Sequence, residues 1–379
     1  MKRKEIMIGA GQIGRGFIGQ ILADAGYEVV FMDVAQALVD SINDAGGYQF
    51  YLLGEKQSRM ITGVRAVNSA SPEAVEEFVD ASLVTTACGP NVLSKVAPLI
   101  AAGIRKRMEC GNTQPLDVIA CENMDGGSQL LKGYVCKTLS EAERAFCEAH
   151  VGFPNCEVSR IVVPSKDLPP LAVRVEKYME WIVDLHAAKS DLSGIDGLTL
   201  SENVDAYVAR KIFSLTGHAM LGYLGYAAGH SVIWESVYDY DIYTVVFGAL
   251  KECAAAWSAK YGLPEAEFMD YCTLMLVRFA DQRVSDAVTR PAREPIRKLS
   301  VHERFFGPAL TAMEYGIEPK FILKGVKAVC AYDNPEDAEA VRLQEMIRTQ
   351  GMRGALCSIT GLPEDHPLKT GLYQSLLER

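Results

Sequence analysis

Three glycines near the start of the chain constrain its fold more than any other feature. Gly9, Gly11 and Gly14 follow a short apolar run, Glu5–Ile8, and open a stretch with helical periodicity. In such a strand–turn–helix the first glycine permits the tight turn, the second lets the backbone approach a pyrophosphate, and the third allows close packing of helix on strand. The pyrophosphate would rest on the helix N-terminus. The spacing therefore predicts a dinucleotide-binding βαβ unit.

Asp33 ends the second predicted strand, nineteen residues after Gly14. A carboxylate at this point accepts hydrogen bonds from the ribose hydroxyls of the adenosine and repels a 2′-phosphate, so it favours NAD over NADP as the cofactor. The same carboxylate could cap the following helix, and the two roles can coexist. Around the glycine turn, the residues expected to contact the cofactor are Ile8, Gly9, Ala10, Gly11, Gln12, Ile13, Gly14, Arg15 and Gly16.

The first half of the chain alternates short apolar strands with helical stretches, which predicts right-handed βαβ units and a parallel sheet. The pattern becomes β-rich at about 157–183 and, beyond the Ser190–Gly197 linker, almost entirely helical. We therefore expect a Rossmann-type, doubly wound α/β domain over residues 1–193, which includes the β-rich extension, and a mostly α-helical substrate domain over residues 194–379. The predicted strands are Glu5–Ile8, Glu28–Met32, Tyr48–Leu53, Ser58–Val67, Leu83–Thr86 and Val118–Ala120. The predicted helices of the second half are Asn203–Leu215, Ile242–Tyr261, Glu265–Arg278 and Pro335–Gln350.

The charge and the cysteines argue against several classes of function. With 38 Lys and Arg against 48 Asp and Glu, the net charge of −10 disfavours a general binder of nucleic acid or anionic membranes. No apolar run reaches the roughly 18–20 residues of a membrane span. The ten cysteines include no CxxC pair, so neither a zinc site nor a thioredoxin-like motif is indicated, and we expect a cytoplasmic protein with reduced thiols. We expect a monomer, with a dimer as the open alternative, because the apolar helical faces fit either arrangement.

Polar residues follow two further strands of the predicted sheet. Thr86 and Gly89 lie in the segment after the fourth parallel strand, and Glu122 and Asn123 follow the fifth. Ligands of open α/β sheets bind outside the carboxyl ends of the strands, so we expect Thr86, Gly89 and Asn123 to contribute to the cofactor site. Glu122 and Asn123 could equally cap the following helix.

Two groups of basic residues stand in the helical half. Lys211 and His218 are seven residues apart and share one helix face, although in an arbitrary helix such a pair is more often a solvated lysine and a packed histidine. Five basic residues then lie in a short span of an otherwise acidic protein. Guanidinium groups match phosphate oxygens bidentately, and a solvated basic surface is the alternative. The five are Arg290, Arg293, Arg297, Lys298 and Arg304.

Six segments, taken in order, resemble those of the polyol-specific long-chain dehydrogenases and reductases, the mannitol dehydrogenase family. They are GAGQIGRGFIG, FMDV, LVTTACGP, ACENM, ARKIFSLTGHAMLGYLG and REPIRKLS, and together they extend over nearly the whole chain. The resemblance implies an N-terminal Rossmann domain, a helical C-terminal domain, and metal-independent hydride transfer between NAD and a polyol. The last segment resembles the branch that uses phosphorylated polyols, which implies D-mannitol 1-phosphate and D-fructose 6-phosphate as the substrates.

The resemblance also implies roles for individual residues. Lys211 would be the general base that takes the proton of the alcohol, as a lysine whose pKa is lowered by burial can do near neutral pH. His218 would orient the substrate, Asn123 would complete the oxyanion site, and Glu122 would relay protons to solvent. The residues implied to bind the substrate phosphate are Arg293, Arg297 and Lys298.

The chain departs from the family pattern between Lys211 and His218. The pattern reads Lys, four residues, Asn, two residues, His, whereas here six residues separate the two and the Asn is missing. Thr216, whose hydroxyl could donate one hydrogen bond to an oxyanion, stands at the Asn offset counted from Lys211, and Leu215 stands at the offset counted from His218. A deletion turns the following part of a helix by roughly 100°, so we expect an irregular turn at Thr216–Gly217. Loss of an oxyanion donor typically costs ~10²–10³ in rate, so an impaired NAD(H)-binding relative stays an alternative, as does an enzyme for another polyol or sugar phosphate.

Overall fold

The first part of the chain folds as alternating strands and helices, in a computed structural model that describes residues 3–163, 167–282 and 285–362. The strands are β1 (Lys4–Ile8), β2 (Glu28–Asp33), β3 (Tyr48–Leu52), β4 (Ser58–Ile61), β5 (Val64–Asn68), β6 (Ala81–Thr86), β7 (Leu116–Ala120), β8 (Val151–Gly152), β9 (Cys156–Ser159), β10 (Val173–Val175), β11 (Glu180–Asp184) and β12 (Leu198–Ser201). The helices of this part are α1 (Gln12–Gly16), α2 (Ile18–Asp24), α3 (Gln36–Ala45), α4 (Glu73–Glu76), α5 (Leu93–Glu109), α6 (Gly127–Cys136) and α7 (Glu141–His150).

Six of these strands form one sheet, in the order β5-β2-β1-β6-β7-β8. Neighbouring strands in it are parallel throughout. Numbered within this sheet, the order is 3-2-1-4-5-6, and it reverses between β1 and β6, where dinucleotides bind in folds of this kind. The predicted Rossmann-type, doubly wound domain is therefore confirmed.

The inner strands of this sheet are almost wholly apolar because helices pack on both of their faces. Two buried carboxyl groups are exceptions. Glu5 is fully buried and accepts a hydrogen bond from the Thr85 hydroxyl, and burial raises the pKa of Glu5 to about 8. Asp117 accepts hydrogen bonds from the backbone N–H groups of Lys189 and Ser190, each at 2.8 Å. These bonds fasten β7 to the loop that precedes β12.

The single strand predicted over Ser58–Val67 is wrong, because this segment forms two strands that belong to different sheets. β4 pairs antiparallel with β3, whereas β5 pairs parallel with β2 in the large sheet. The break lies at residues 62–63, where Gly63 has φ +76°, and a lone glycine inside a strand pattern is the local signal for it. β3 and β4 form a small sheet with β10, and β9, β11 and β12 form another. The segment predicted to be β-rich, at about 157–183, overlaps β9, β10 and β11.

The chain divides into two units, residues 1–204 and 205–379, and the described part of the second is mostly helical. Its helices are α8 (Val204–Ala228), α9 (Ile233–Tyr238), α10 (Tyr240–Tyr261), α11 (Glu265–Phe279), α12 (Thr289–Ala292), α13 (Pro295–Lys298), α14 (Phe306–Glu314), α15 (Lys320–Cys330) and α16 (Ala338–Thr360). This confirms the predicted helical half. Since β12 pairs with β11 in the first unit, we propose that the first domain ends near residue 204 and not at residue 193.

α8 runs without interruption over Val204–Ala228, all of which the structure describes. The irregular turn predicted at Thr216–Gly217 is therefore wrong, and the shortened segment is a regular helix. Contact with α10 stabilises the start of α8, because the indole N–H of Trp257 in α10 donates to the carbonyl of Ala206 at 2.6 Å. The helices predicted at the positions of α10 and α11 have nearly the observed bounds, whereas α8 and α16 continue past their predicted ends.

Candidate functional site

The glycine turn leaves β1 with a geometry that requires glycine. Gly9 has φ +109°, and a Cβ there would lie 2.6 Å from the carbonyl oxygen of Ala87. A Cβ at Gly14 would collide with the carbonyl oxygen of Gly9. A Cβ at Gly11, in contrast, would meet nothing within 4 Å, and among the described residues no side chain caps the N-terminus of α1. The turn therefore leaves open space beside the first N–H groups of α1, as a dinucleotide pyrophosphate requires.

Asp33 ties this turn to the end of β2. Its Oδ2 accepts a hydrogen bond from the Ala10 N–H and its Oδ1 accepts one from the Ala35 N–H, both at 3.0 Å. The N-cap of α3 is Ala35, so Asp33 is not the capping residue of that helix. Each carboxylate oxygen has a further lone pair for a ribose hydroxyl. Val34, which the sequence patterns do not single out, is 76% exposed next to Asp33 and offers apolar surface that suits an adenine ring.

The remaining predicted contacts of the turn fall into two groups. Gln12 and Ile13 are exposed at the start of α1. Buried inside the first unit are Ile8, Ala10, Gly14, Arg15 and Gly16. The guanidinium of Arg15 donates to the carbonyls of Ala10 and Leu171, the latter at 3.2 Å. Arg15 therefore holds the glycine turn from the protein side.

At the ends of β6 and β7, Glu122 fastens the neighbouring loop. Its Oε1 accepts hydrogen bonds from the Thr86 hydroxyl at 2.7 Å and the Cys88 N–H at 2.9 Å, and its Oε2 accepts one from the Gly89 N–H at 3.0 Å. Glu122 is buried, whereas Asn123 is exposed. No described side chain caps the following helix, α6, so neither of them is its cap. The structure thus brings Thr86, Gly89 and Glu122 together and leaves Asn123 at the surface beside them.

In the second unit, α8 places Lys211 and His218 on one face. At about 100° and 1.5 Å per residue, the two are roughly 20° apart around the helix and about 10 Å apart along it. Lys211 is half-buried and His218 is 8% exposed. Ser214 lies on the same side, about one turn from each, and its hydroxyl donates to the Lys211 carbonyl at 2.8 Å. Ser214 is buried, at 7% exposed, and the sequence patterns do not single it out.

Thr216 lies on the other side of α8, about 140° from Lys211 and about 160° from His218. Its side chain is fully buried, and its hydroxyl donates to the carbonyl of Arg304. Leu215, the other residue at an offset of the missing Asn, is half-buried and has no polar group to offer. The structure therefore does not bring Thr216 to the face that carries Lys211 and His218.

His218 is enclosed by groups from the end of α11 and the segment after it. Its Nε2 lies 3.3 Å from Oδ2 of Asp286, and its ring stacks on Phe279 with centroids 4.2 Å apart. Arg290 donates to both oxygens of Asp286. Although burial opposes ionisation, the bonds from Arg290 and His218 hold the pKa of Asp286 well below its usual range, and burial lowers the pKa of His218. The four-residue spacing of Asp286 and Arg290 is the signal by which the sequence could have shown this group.

The three residues implied to bind phosphate differ in their surroundings. Arg293 is exposed, and within the described ranges no carboxylate pairs with it. Arg297 forms ion pairs with Glu294, at 2.8 Å, and with Glu303. Lys298 is 2% exposed and its amine donates to the Arg293 carbonyl, and burial is the main cause that lowers the pKa of Lys298 to about 7. Arg293 is thus the one of the three that presents its charge to solvent without a described ion pair, although it contributes to the lowered pKa of the neighbouring Glu294.

Within residues 3–163, 167–282 and 285–362, no three His, Cys, Asp or Glu side chains are grouped as ligands of a metal ion. The helices in the same ranges include none that combines the length and the hydropathy of a membrane span.

Comparison with known proteins finds matches across both units. The family model described as the mannitol dehydrogenase Rossmann domain matches residues 3–196, and the one described as the mannitol dehydrogenase C-terminal domain matches residues 203–356. A mannitol-1-phosphate 5-dehydrogenase of Brevibacillus brevis is 43% identical over 367 residues, which cover 96% of this chain and 95% of that protein.

Two solved structures share the fold. A D-sorbitol dehydrogenase in substrate-free form has a TM-score of 0.80 at 15% identity, with 99% of this chain and 92% of that chain covered. The Pseudomonas fluorescens mannitol 2-dehydrogenase, solved as a ternary complex with NAD and D-mannitol, has a TM-score of 0.65 at 15% identity, with 99% of this chain and 91% of that chain covered. At this identity the two structures support the fold alone.

Proposed function

The chain belongs to the mannitol dehydrogenase family, and on that premise we propose that it is an NAD-dependent oxidoreductase that interconverts D-mannitol 1-phosphate and D-fructose 6-phosphate. The observation that carries the proposal is the similarity to the Brevibacillus brevis relative, which extends across both units. The reaction converts D-mannitol 1-phosphate and NAD⁺ into D-fructose 6-phosphate, NADH and a proton.

The residues of the first unit fit NAD at the glycine turn. The open space beside Gly11 suits the pyrophosphate, which the first N–H groups of α1 would bind. Asp33 would accept the ribose hydroxyls and would repel the additional phosphate of NADP, and the exposed side chain of Val34 would contact the adenine. When bound, NAD supplies the acceptor for the hydride that leaves the alcohol carbon.

Glu122 and Asn123 take different parts in this proposal. Four protein donors occupy the carboxylate of Glu122, which favours a role in bracing the Thr86–Gly89 loop over the proton relay that the resemblance implies. Asn123 is exposed at the end of β7 and keeps its amide for the substrate oxygen or the cofactor.

In the second unit, Lys211 would take the proton from the hydroxyl that is oxidised and would return it to the carbonyl oxygen in the reverse direction. Ser214 is the polar side chain on the same face, and its hydroxyl can turn from the Lys211 carbonyl to donate to the developing oxyanion. We propose that Ser214 donates this hydrogen bond in place of the missing Asn. Thr216 would stabilise the fold through its bond to Arg304 and would not contact the substrate.

For the substrate phosphate, Arg293 would be the first ligand because its guanidinium is exposed and has no described carboxylate partner. Arg297 would give up its ion pair with Glu294 or Glu303 to bind the phosphate. This costs little, because exposed ion pairs are worth only about 0–1 kcal/mol. Lys298 is buried and would fix the backbone at Arg293, because its amine donates to the Arg293 carbonyl.

The missing Asn favours one competing function, an impaired relative that binds NAD(H) without efficient turnover. Both are tested by mixing the 379-residue protein with fructose 6-phosphate and NADH and following the NADH absorbance. We expect a loss of absorbance that depends on fructose 6-phosphate and exceeds that with free fructose. NADH binding without turnover, over a panel of ketose phosphates and free ketoses, would support the impaired relative instead. Failure to bind NADH at all would contradict both.

A further inference from the structure

We infer that Asp286, held by Arg290, is a positioning residue that fixes His218 in the tautomer whose Nδ1 accepts a hydrogen bond from a substrate hydroxyl. The inference rests on the proposed function for the kind of substrate, whereas the tautomer is a property of the folded chain alone. Asp286 lies outside the glycine motif and outside all six segments that carry the family resemblance.

Contacts from two directions hold the imidazole of His218. Its Nε2 faces Oδ2 of Asp286 at 3.3 Å, and the ring lies nearly parallel to that of Phe279, with an interplanar angle of 10°. On its far side, Asp286 receives both arms of the Arg290 guanidinium, so the carboxylate cannot turn away without breaking a bidentate pair. The side chains of His218 and Asp286 are each 10% exposed. A flipped ring would lose its carboxylate partner.

The charges around the ring decide where its proton lies. Three charged groups act on it, Asp286, Arg290 and Arg304. Burial lowers the pKa of His218, Asp286 raises it, and the two arginines lower it, with a net direction downward, so the ring carries one proton at neutral pH. The ionised carboxylate of Asp286 can only accept, which places that proton on Nε2. Nδ1 is then left with a lone pair.

If Nδ1 is an acceptor, it can bind only a ligand group that donates a hydrogen bond. A hydroxyl of a polyol or a ketose can donate to it, whereas the oxygens of a phosphate dianion cannot. In the described part of the chain no protein donor bonds Nδ1. His218 would therefore bind a hydroxyl of the sugar and would leave the phosphate to Arg293. A site built to bond a hydroxyl discriminates strongly against an analogue that lacks it.

The tautomer can be observed directly, without turnover, by ¹⁵N NMR of protein labelled at its six histidines. The signals of His218 are those lost in the variant His218→Gln. We expect a protonated Nε2 and an unprotonated Nδ1 near neutral pH, since the neutral ring has one donor and one acceptor nitrogen. A proton on Nδ1, or on both nitrogens, would overturn the inference whatever the activity of the protein.

The variant Asp286→Asn tests the consequence for the substrate. An asparagine amide can donate to Nε2, which moves the ring proton to Nδ1 and turns the acceptor into a donor. We expect kcat/KM for fructose 6-phosphate to fall about 10- to 100-fold, with NADH affinity unchanged and partial recovery in Asp286→Glu. The NMR spectrum should show the changed tautomer.

An unchanged kcat/KM together with a changed tautomer would overturn the role of Nδ1. If Asp286→Asn does not fold, as judged by circular dichroism, Arg290→Gln replaces it: with one partner of the carboxylate lost, we expect a smaller fall in kcat/KM with NADH affinity unchanged, and no fall would count against the inference. A wild-type protein without any turnover would contradict the proposed function, and the NMR result would still decide the tautomer.

Discussion

The candidate residues of the first unit, which we call the backbone half, and those of the second unit, the side-chain half, are held in different ways. At the glycine turn of the first unit, backbone geometry determines the arrangement: Gly9 and Gly14 leave no room for a Cβ, and the position of Gly11 leaves open space for a ligand. In the second unit, side chains are held by other side chains, as His218 is held by Asp286. The structure of the backbone half can be predicted from the spacing of its glycines. The structure of the side-chain half depends on contacts between distant parts of the chain.

The largest effect is expected from Lys211→Met, which removes the proposed base from the side-chain half and leaves the backbone half intact. General base catalysis contributes about 10²–10⁴ in rate, so kcat/KM for mannitol 1-phosphate should fall by that factor. NADH affinity, measured by fluorescence titration, should stay unchanged. Turnover close to that of the wild type would show that another group takes the proton and would remove Lys211 from the proposal.

A matched pair of glycine variants tests the backbone half. A Cβ at Gly11 would meet only open space, so Gly11→Ala should fold normally and weaken NADH binding by about 10- to 100-fold, because the methyl group takes the place of a ligand contact. In Gly9→Ala, the new Cβ would clash with the Ala87 carbonyl oxygen, and the positive φ would strain the alanine backbone. This variant should therefore have a free energy of unfolding lower by ~1–3 kcal/mol or more.

Urea unfolding and NADH titration, carried out on both glycine variants, separate the two effects. Equal affinities for NADH in the wild type and in Gly11→Ala would mean that the pyrophosphate does not lie at this turn. The contrast between the backbone half and the side-chain half would then no longer hold.

The fold and the glycine turn could be predicted because their causes are local. The turn at Gly9–Gly14 follows from spacing within a few residues, and the parallel sheet follows from the alternation of strands and helices. Gly63 is the local signal for the break inside Ser58–Val67, but the pairing of β4 with β3 and of β5 with β2 depends on contacts between distant segments and could not be predicted. In the side-chain half, the positions of His218 and Thr216 around α8 relative to Lys211 depend on whether the shortened helix stays regular, and tertiary packing decides this.

The third prediction compares two hydroxyls that lie two residues apart on α8. Ser214→Ala should lower kcat/KM about 10-fold, less than a preorganised oxyanion donor would, because the hydroxyl must first leave the Lys211 carbonyl. Thr216→Val should leave turnover nearly unchanged and lower the free energy of unfolding by ~1–3 kcal/mol, because it removes the buried Thr216 hydroxyl that donates to the Arg304 carbonyl. The reverse result, with turnover lost in Thr216→Val alone, would return the role of the missing Asn to Thr216.

The smallest effect on turnover is expected for Glu5, a buried carboxyl in the sheet of the first unit. Burial raises the pKa of Glu5 to about 8, whereas a glutamate in an unfolded chain titrates near ~4.3. Between these pH values the native state holds a proton that the unfolded state has lost, so this residue's contribution to the free energy of unfolding falls as the pH rises from about 5 to 8. Glu5→Gln keeps an acceptor for the Thr85 hydroxyl and cannot ionise.

Urea midpoints of the wild type and of Glu5→Gln should therefore be similar near pH 5 and should diverge towards pH 8, where the variant is the more stable. Glu55→Gln, at an exposed position, controls for the loss of one negative charge. Parallel pH profiles for the wild type and Glu5→Gln would mean that the carboxyl is already ionised in the native sheet. If the pH profiles diverge as expected, the two halves also differ in what a bound proton does. The proton on Glu5 would affect the free energy of unfolding and leave turnover unchanged, whereas the proton on His218 would determine which group of the substrate can bind.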